Sequence, residues 1–213
     1  MFDFTQIKQA LIDLDRNRTL ASVKNALNRN ENPQDILEQG LIAGMEVIGD
    51  KMEMEEMFIP EVLAAADTMR ACLDVIKPLL GSTEVLSKGN IVIGTVKGDL
   101  HDIGKNLVAM MLETSGFKVI NLGVDIPTED FVTAVYQNSA DVLCLSALLT
   151  TTMPVMKDVI NSVRRSTSDN RVKVLIGGAP VSQDYANKIG ADGYAPDAAS
   201  AVKAVKSLLH RNK

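Results

Sequence analysis

The stretch Ile91-Val-Ile93-Gly94-Thr-Val-Lys-Gly-Asp99-Leu-His101-Asp102-Ile103-Gly104-Lys-Asn106-Leu107 decides how the rest of the 213-residue chain is understood. Its opening is apolar and β-branched, the composition of a buried strand, and a helical pattern continues through Leu107, Met110 and Met111. Between them lies a short polar loop with Asp99 and His101 two apart and glycines at 94, 98 and 104. A strand-to-helix turn of this kind sets its polar residues at the carboxyl edge of a parallel sheet, where open α/β proteins bind ligands.

Working outward toward the C-terminus, the same alternation repeats. Strand-like runs are expected at 91–96, 117–122, 142–145 and 172–176, with a weaker one at 193–195. Helical stretches are expected between and after them, at 103–114, 128–138, 153–165, 182–189 and 198–209. Five such units predict an α/β fold: a flavodoxin-like (Rossmann-like) parallel sheet covered on both faces, with strand order 2-1-3-4-5.

Toward the N-terminus the pattern is helical throughout. Phe4, Ile7, Leu11 and Leu14 recur at helical spacing, as do Leu20, Val23 and Leu27. Asn32-Pro33 has the form of an N-cap with proline at the first helical position. A fourth helix is expected from about Pro60 to Ile76, with Val62, Leu63, Ala66, Met69 and Leu73 inward. The expected organisation is an all-α four-helix bundle at 1–82, a polar, glycine-bearing linker at 83–90 and the α/β domain at 91–213. Between the third and fourth helices lies the methionine-rich stretch Met52-Glu-Met54-Glu-Glu-Met57-Phe58-Ile59. Ordinary core packing is the plainer account of it, and a flexible apolar lid over a flat ligand is the sharper one.

Composition narrows the function classes. The net charge is −5, and residues 1–80 hold 8 Lys+Arg against 14 Asp+Glu, a net −6 that leaves +1 for the remainder. Nucleic acid is therefore not expected as a partner. No apolar run reaches the roughly 18 residues of a membrane span, and no basic, apolar leader begins the chain, so a cytoplasmic protein without a membrane partner is expected. Two cysteines, Cys72 and Cys144, fall in different halves, which does not make a disulfide framework.

The residues just after each strand should meet at one sheet edge: Asp99, His101 and Gly104; Gly123 to Pro127; Ser146, Leu148 and Thr150 to Thr152; Gly177 and Gly178; Pro196 and Asp197. Neither phosphate-binding glycine pattern is present, no nucleophile stands beside a base, and the 4% aromatic content is poor for a flavin. A phospho-acceptor of this fold would need Asp and Lys where Ser146 and Ala195 stand. With two histidines in all, a zinc site fails by counting. Most loop histidines are unremarkable, but Asp99 can take the Nδ1 proton of His101 and leave Nε2 free to ligate. One protein ligand suffices for a metal already caged in a macrocycle.

Asp99-Leu-His101-Asp102-Ile103-Gly104, then Ser146-Ala-Leu148, then Gly177-Gly178 resemble the DxHxxG…SxL…GG signature of cobalamin-binding domains. Val96 to Asn106 is very close to the methionine synthase form of that loop, and Gly44 to Asp50 with Met57 to Pro60 resemble the helical cap domain of the same family. The whole resembles the corrinoid proteins of methylamine, methanol and methoxy-compound methyltransferase systems.

This resemblance implies a cobalamin or related corrinoid held base-off and His-on. His101 would be the lower axial ligand of cobalt, and Asp99 with Ser146 a relay behind it. Asp102 and Ile103 belong to the same loop. Gly104, Leu148, Thr150, Gly177 and Gly178 would line a channel for the cofactor's nucleotide tail, and Met52 to Ile59 would cover the methyl-bearing face. It further implies a methyl carrier, not catalytic alone, that is loaded by a substrate-specific methyltransferase, unloaded by a second one with a thiol or folate acceptor, and served by a reductive activator of the corrinoid. Two alternatives share the loop: the small cobalamin-binding subunit of a mutase, which gives no reason for residues 1–80, and a corrinoid-responsive regulator, which the acidic front half disfavours.

Overall fold

The computed structural model describes residues 2–79, 88–166 and 172–210. The chain divides into two compact units, the first carrying the N-terminal helices and the second the sheet. Of the expected linker at 83–90, residues 83–87 lie outside the described residues.

In the helical unit, α1 (Thr5–Ile12) buries Ile7, Ala10 and Leu11. Leu14, expected on the same face, instead takes a left-handed turn with φ 59° beyond the helix end. Helix α2 (Arg16–Asn28) starts where the Asp15 carboxylate accepts from the Arg18 amide at 2.9 Å. Its fully inward residues are Thr19, Val23 and Ala26, while Leu20 and Leu27 flank that stripe half-buried.

Asn32 accepts from the Gln34 amide at 2.9 Å, and Pro33 next to it opens a helical path. The path runs through α3 (Pro33–Asp35), a π-helical segment (Ile36–Ile42) and α4 (Ala43–Glu53). The π-helical hydrogen bonding turns Ile36, Leu37, Gly40, Leu41 and Ile42 inward within one short segment. Helix α5 (Ile59–Ile76) buries Val62, Ala65, Ala66, Met69, Cys72 and Ile76. Leu63 is 43% exposed, a correction to the inward placement expected for it, because it shares a face with exposed Ile59 one turn earlier.

The sheet has the expected order, β2-β1-β3-β4-β5, with every pairing parallel. Its strands are β1 (Asn90–Thr95), β2 (Lys118–Asn121), β3 (Val142–Ser146), β4 (Lys173–Gly177) and β5 (Gly193–Ala195). Central strands β1, β3 and β4 are buried on both faces, hence their unbroken apolar runs. The helices between are α6 (Ile103–Thr114), α7 (Thr128–Gln137), α8 (Met153–Ser166), α9 (Gln183–Ile189) and α10 (Ala198–His210).

One core gathers Phe131 of α7, Leu143 of β3 and Met156 of α8, all fully buried. Each contributes about 2–3 kcal/mol by leaving water. Cys144 sits inside the sheet with its thiol pushed up to about 12 by burial, so it acts as a small core residue. Among the described residues no helix is long and apolar enough to cross a membrane.

Candidate corrinoid site

Parallel register brings the carboxyl ends of four strands into one row. Thr95 pairs with Ser146, Ser146 with Gly177, and Gly177 with Ala195. The loops carrying Asp99, Leu148 and Gly178 leave the sheet from this row.

Asp99 is the buried centre of the site, with 0% of its side chain exposed. Its Oδ1 accepts from the His101 ring Nδ1 at 2.7 Å and from the His101 amide at 3.1 Å. Its Oδ2 accepts from the Leu148 amide at 2.8 Å, the Leu149 amide at 3.2 Å and the Thr152 hydroxyl at 2.8 Å. Burial pushes this carboxyl's pKa up. The bonds from the His101 ring, the Leu148 amide, the Thr152 hydroxyl and the His101 amide outweigh it and hold the group well below the usual carboxylate range. An ionised acceptor on Nδ1 makes that nitrogen the donor, so in the neutral imidazole the lone pair is on Nε2. Among the described residues Nε2 has no hydrogen-bond partner, and the His101 side chain is 51% exposed.

The loop is braced from the other side as well. The Thr95 hydroxyl donates to the His101 carbonyl at 2.9 Å. Asp125 accepts from the Gly98 amide at 2.7 Å, and its own amide donates to the Asp99 carbonyl at 3.0 Å. Asp125 holds a left-handed φ of 56°, a conformation that Asp tolerates better than most residues.

Around His101 the surface is apolar although exposed. Leu100 is 72% exposed and Ile103 86%, with Leu148 and Leu149 at 41% each. The two glycine positions differ. Gly104, at the start of α6, is exposed, and a Cβ there would meet open space, with no atom within 4 Å. A Cβ on Gly178 would lie 1.9 Å from the Ala147 carbonyl oxygen, and its φ is +128°, so Gly178 is required by the β3 and β4 loops themselves. Gly177 ends β4 against the Ala195 carbonyl, and Thr150 is exposed.

Asp102 is exposed and accepts from the Asn106 side chain at 2.9 Å. Next to it stands a polar cluster that no sequence motif marks: buried Lys105 donates to Asn106 at 2.6 Å and to Asn121 of β2 at 2.8 Å.

Ser146 is in the expected place, but its hydroxyl makes no hydrogen bond to Asp99 among the described residues. The hydroxyl that does is that of Thr152, which in the sequence is one of several neutral donors. Its position just before a helix is an N-cap signal, and that hides the role. In the helical unit Met52 is half-buried, Met57 is buried, and Met54, Phe58 and Ile59 are exposed at 67%, 65% and 49%. The methionine-rich stretch thus divides between core packing and an exposed apolar surface.

Among the described residues no three His, Cys, Asp or Glu side chains gather as a metal site. A single imidazole whose Nδ1 is held by a buried carboxylate, in an apolar surround, fits a metal whose other ligands come with a flat organic ring.

Comparison with known proteins gives the family. The B12 binding domain family matches residues 89–203, and a second family of that description matches residues 4–77. Dimethylamine corrinoid protein 2 of Methanosarcina acetivorans is 42% identical over 205 residues, covering 96% of this chain and 94% of its own. A corrinoid protein of Desulfitobacterium hafniense is 41% identical over 207 residues, covering 96% of each chain. Among solved structures, a cobalamin-binding protein from Desulfitobacterium hafniense DCB-2 superposes with a TM-score of 0.82 at 31% identity, covering 98% of this chain and 99% of that one. The methanol:cobalamin methyltransferase complex MtaBC from Methanosarcina barkeri gives 0.86 at 29%, covering 97% and 79%. With B12 binding domain matches over both units and relatives of this identity along nearly its whole length, the chain belongs to the corrinoid proteins of methylamine and methanol methyltransferase systems and binds cobalamin or a related corrinoid.

Proposed function

We propose that this chain is a methyl carrier that holds its corrinoid base-off and His-on. In this reading it receives a methyl group from a substrate-specific methyltransferase and delivers it to a second one, with a thiol or folate as acceptor. The observation that carries the reading is His101: its Nδ1 is tied to a fully buried carboxylate, and Nε2 is left unbonded at an apolar, half-open surface. When bound, the corrinoid supplies a cobalt centre that can carry a methyl group and that a reductive activator can restore after stray oxidation.

The chain's own residues have separable tasks. His101 would offer Nε2 to the cobalt. Asp99 holds the ring's tautomer and direction, and its low pKa keeps it an acceptor throughout the physiological range. Leu100, Ile103, Leu148 and Leu149 exclude water from a flat apolar partner. Gly104, which faces open space, would let a nucleotide tail approach the backbone, Ser146, Leu148, Thr150 and Gly177 would lie beside that tail, and Gly178 fixes the loop after β4. Asp102 serves the site indirectly, by orienting Asn106.

The division into a cap at 1–82, a linker at 83–90 and a corrinoid domain at 91–213 belongs to the same proposal. So does the assignment of Met52 and Ile59 to the cap's cofactor-facing surface, which the exposed apolar side chains of Met54, Phe58 and Ile59 support.

The test is to load the protein with hydroxocobalamin, desalt it and record the cobalt(II) EPR spectrum with ¹⁵N-labelled histidine. Retained cofactor with axial nitrogen coupling that changes on labelling and vanishes in His101→Ala is the expected result. Coupling that survives His101→Ala would remove His101 from cobalt, and protein that elutes colourless would end the carrier reading.

A further inference from the structure

The segment 121–125, which ends β2 and turns toward α7, is bonded to the chain on both sides of His101. We propose that this segment braces the His101 loop from outside, and that Asp125 is a positioning residue that places the imidazole for the corrinoid metal. The inference rests on the reading that His101 ligates cobalt.

The Asp99 carboxylate aligns the ring, but rotation about its side-chain bonds leaves the main chain of residues 98–99 to be fixed by other contacts. That main chain forms a turn closed by the Asp99 amide, which donates to the Val96 carbonyl at 3.1 Å, with Gly98 third in the turn at φ +84°. Such a turn uses neither the amide of its third residue nor the carbonyl of its fourth. Asp125 takes both. Its Oδ1 accepts from the Gly98 amide at 2.7 Å, and its own amide donates to the Asp99 carbonyl at 3.0 Å. The two peptide groups that flank Gly98–Asp99 are therefore held by one residue.

Beyond His101 the same segment takes hold again. The Asn121 side-chain oxygen accepts from buried Lys105 at 2.8 Å and from the Gly123 amide at 3.1 Å, and its side-chain nitrogen donates to Asn106 at 3.1 Å. Asn106 in turn donates to Asp102, next to His101, at 2.9 Å. His101 thus lies in a span anchored at both ends to one neighbouring segment. The φ of 56° at Asp125 makes the test clean, because glycine adopts this backbone freely and asparagine tolerates it.

Three variants test the brace. Asp125→Gly keeps the backbone and removes the acceptor for Gly98. Asp125→Asn keeps an acceptor oxygen and removes the charge. Lys105→Met keeps the length of the side chain and removes the bonds to Asn121 and Asn106. Two readouts are taken on folded, full-length protein. In ¹⁵N-labelled apo-protein, hydrogen exchange is followed at the His101 backbone amide, which is bonded to Asp99 and not to the segment 121–125. The Leu143 amide in the sheet core serves as the reference for global opening. In cobalamin-loaded protein, EPR gives the ratio of His-on to His-off cobalt(II). In Asp125→Gly, His101 exchange relative to Leu143 should rise about fivefold and the His-on ratio should fall about fivefold, the size expected for one lost hydrogen bond. Lys105→Met should move both by about threefold, and Asp125→Asn by less than about twofold.

Asp125→Gly protein that matches wild type in both readouts overturns the inference. So does Asp125→Asn protein that loses as much as Asp125→Gly, since the charge and not the bond would then be responsible. Lys105→Met protein that matches wild type overturns the two-sided brace. If wild type shows no axial nitrogen, the carrier reading fails, and exchange at His101 in the apo-protein still decides whether Asp125 positions the loop.

Discussion

The two units use polar residues in opposite ways. In the helical unit the hydrogen-bonding side chains serve their own neighbourhood. Asp15 and Asn32 cap the helices next to them, Gln34 reaches Glu38, and Gln39 reaches Asp35, each within four residues. In the α/β unit, beside local bonds such as Asn106 to Asp102, they also join segments that are far apart in sequence. Asp99 receives Leu148 and Thr152 from 49 and 53 residues away, Lys105 meets Asn121 across 16, and Arg164 reaches Asp192 across 28. A local bond decides where a helix begins. A long-range bond decides where a functional group points. The comparison teaches that one buried carboxylate of the α/β unit ties two loops together and orients the His101 ring, whereas the helical unit owes its stability to apolar packing.

The largest effect should come from the glycine that closes the two site loops. Gly178→Ala places a methyl 1.9 Å from the Ala147 carbonyl at a φ of +128°, and about 4 kcal/mol of stability should be lost. Gly104→Ala meets no atom and stands in a helix, so denaturation should show no loss, or a gain of up to about 1 kcal/mol. Its cost should appear instead as at least tenfold weaker corrinoid retention. Gly104→Ala protein that keeps its cofactor as wild type does would show that no ligand approaches the backbone there.

Next, Asp99→Asn turns an acceptor of five donors into a group that also donates. Urea unfolding of the apo-protein should report a loss of about 3 kcal/mol. Asn32→Ala, which removes a local cap, should cost only about 1 kcal/mol. Equal losses from these two would erase the contrast between the units.

The last pair tests the apolar packing of the helical unit and includes the smallest effect. Met69→Ala, at a position 1% exposed, should cost about 2 kcal/mol. Leu63→Ala, at 43% exposure, should lower stability in thermal unfolding by no more than about 0.5 kcal/mol.

Most of the fold could be read directly. The α6 bounds and the β5 bounds coincide with the expected ranges, and the sheet order is the expected one. Continuous β-branched runs alternating with amphipathic helices admit few arrangements once crossovers are right-handed. The misses share a cause. Leu63 fits the helical period of its neighbours, yet which of two adjacent apolar residues turns inward depends on the helix it packs against. The π-helical segment at Ile36–Ile42 has no compositional mark, and the same residues would fit an unbroken α-helix. In the site, Asp99 and His101 were legible because their bond spans two residues, within one loop. Thr152 was not, since a threonine before a helix reads as a cap and its partner lies 53 residues back.

By itself, then, the sequence determined the fold class and the sheet order, and it set Asp99 and His101 two apart within one loop. Periodicity and residue type are local properties, and these conclusions derive from them. Only the tertiary structure decided which hydroxyl steadies Asp99, which glycine faces open space and which avoids a carbonyl. Those answers depend on distances between loops that the parallel register brings side by side, and no pattern within a single segment encodes them.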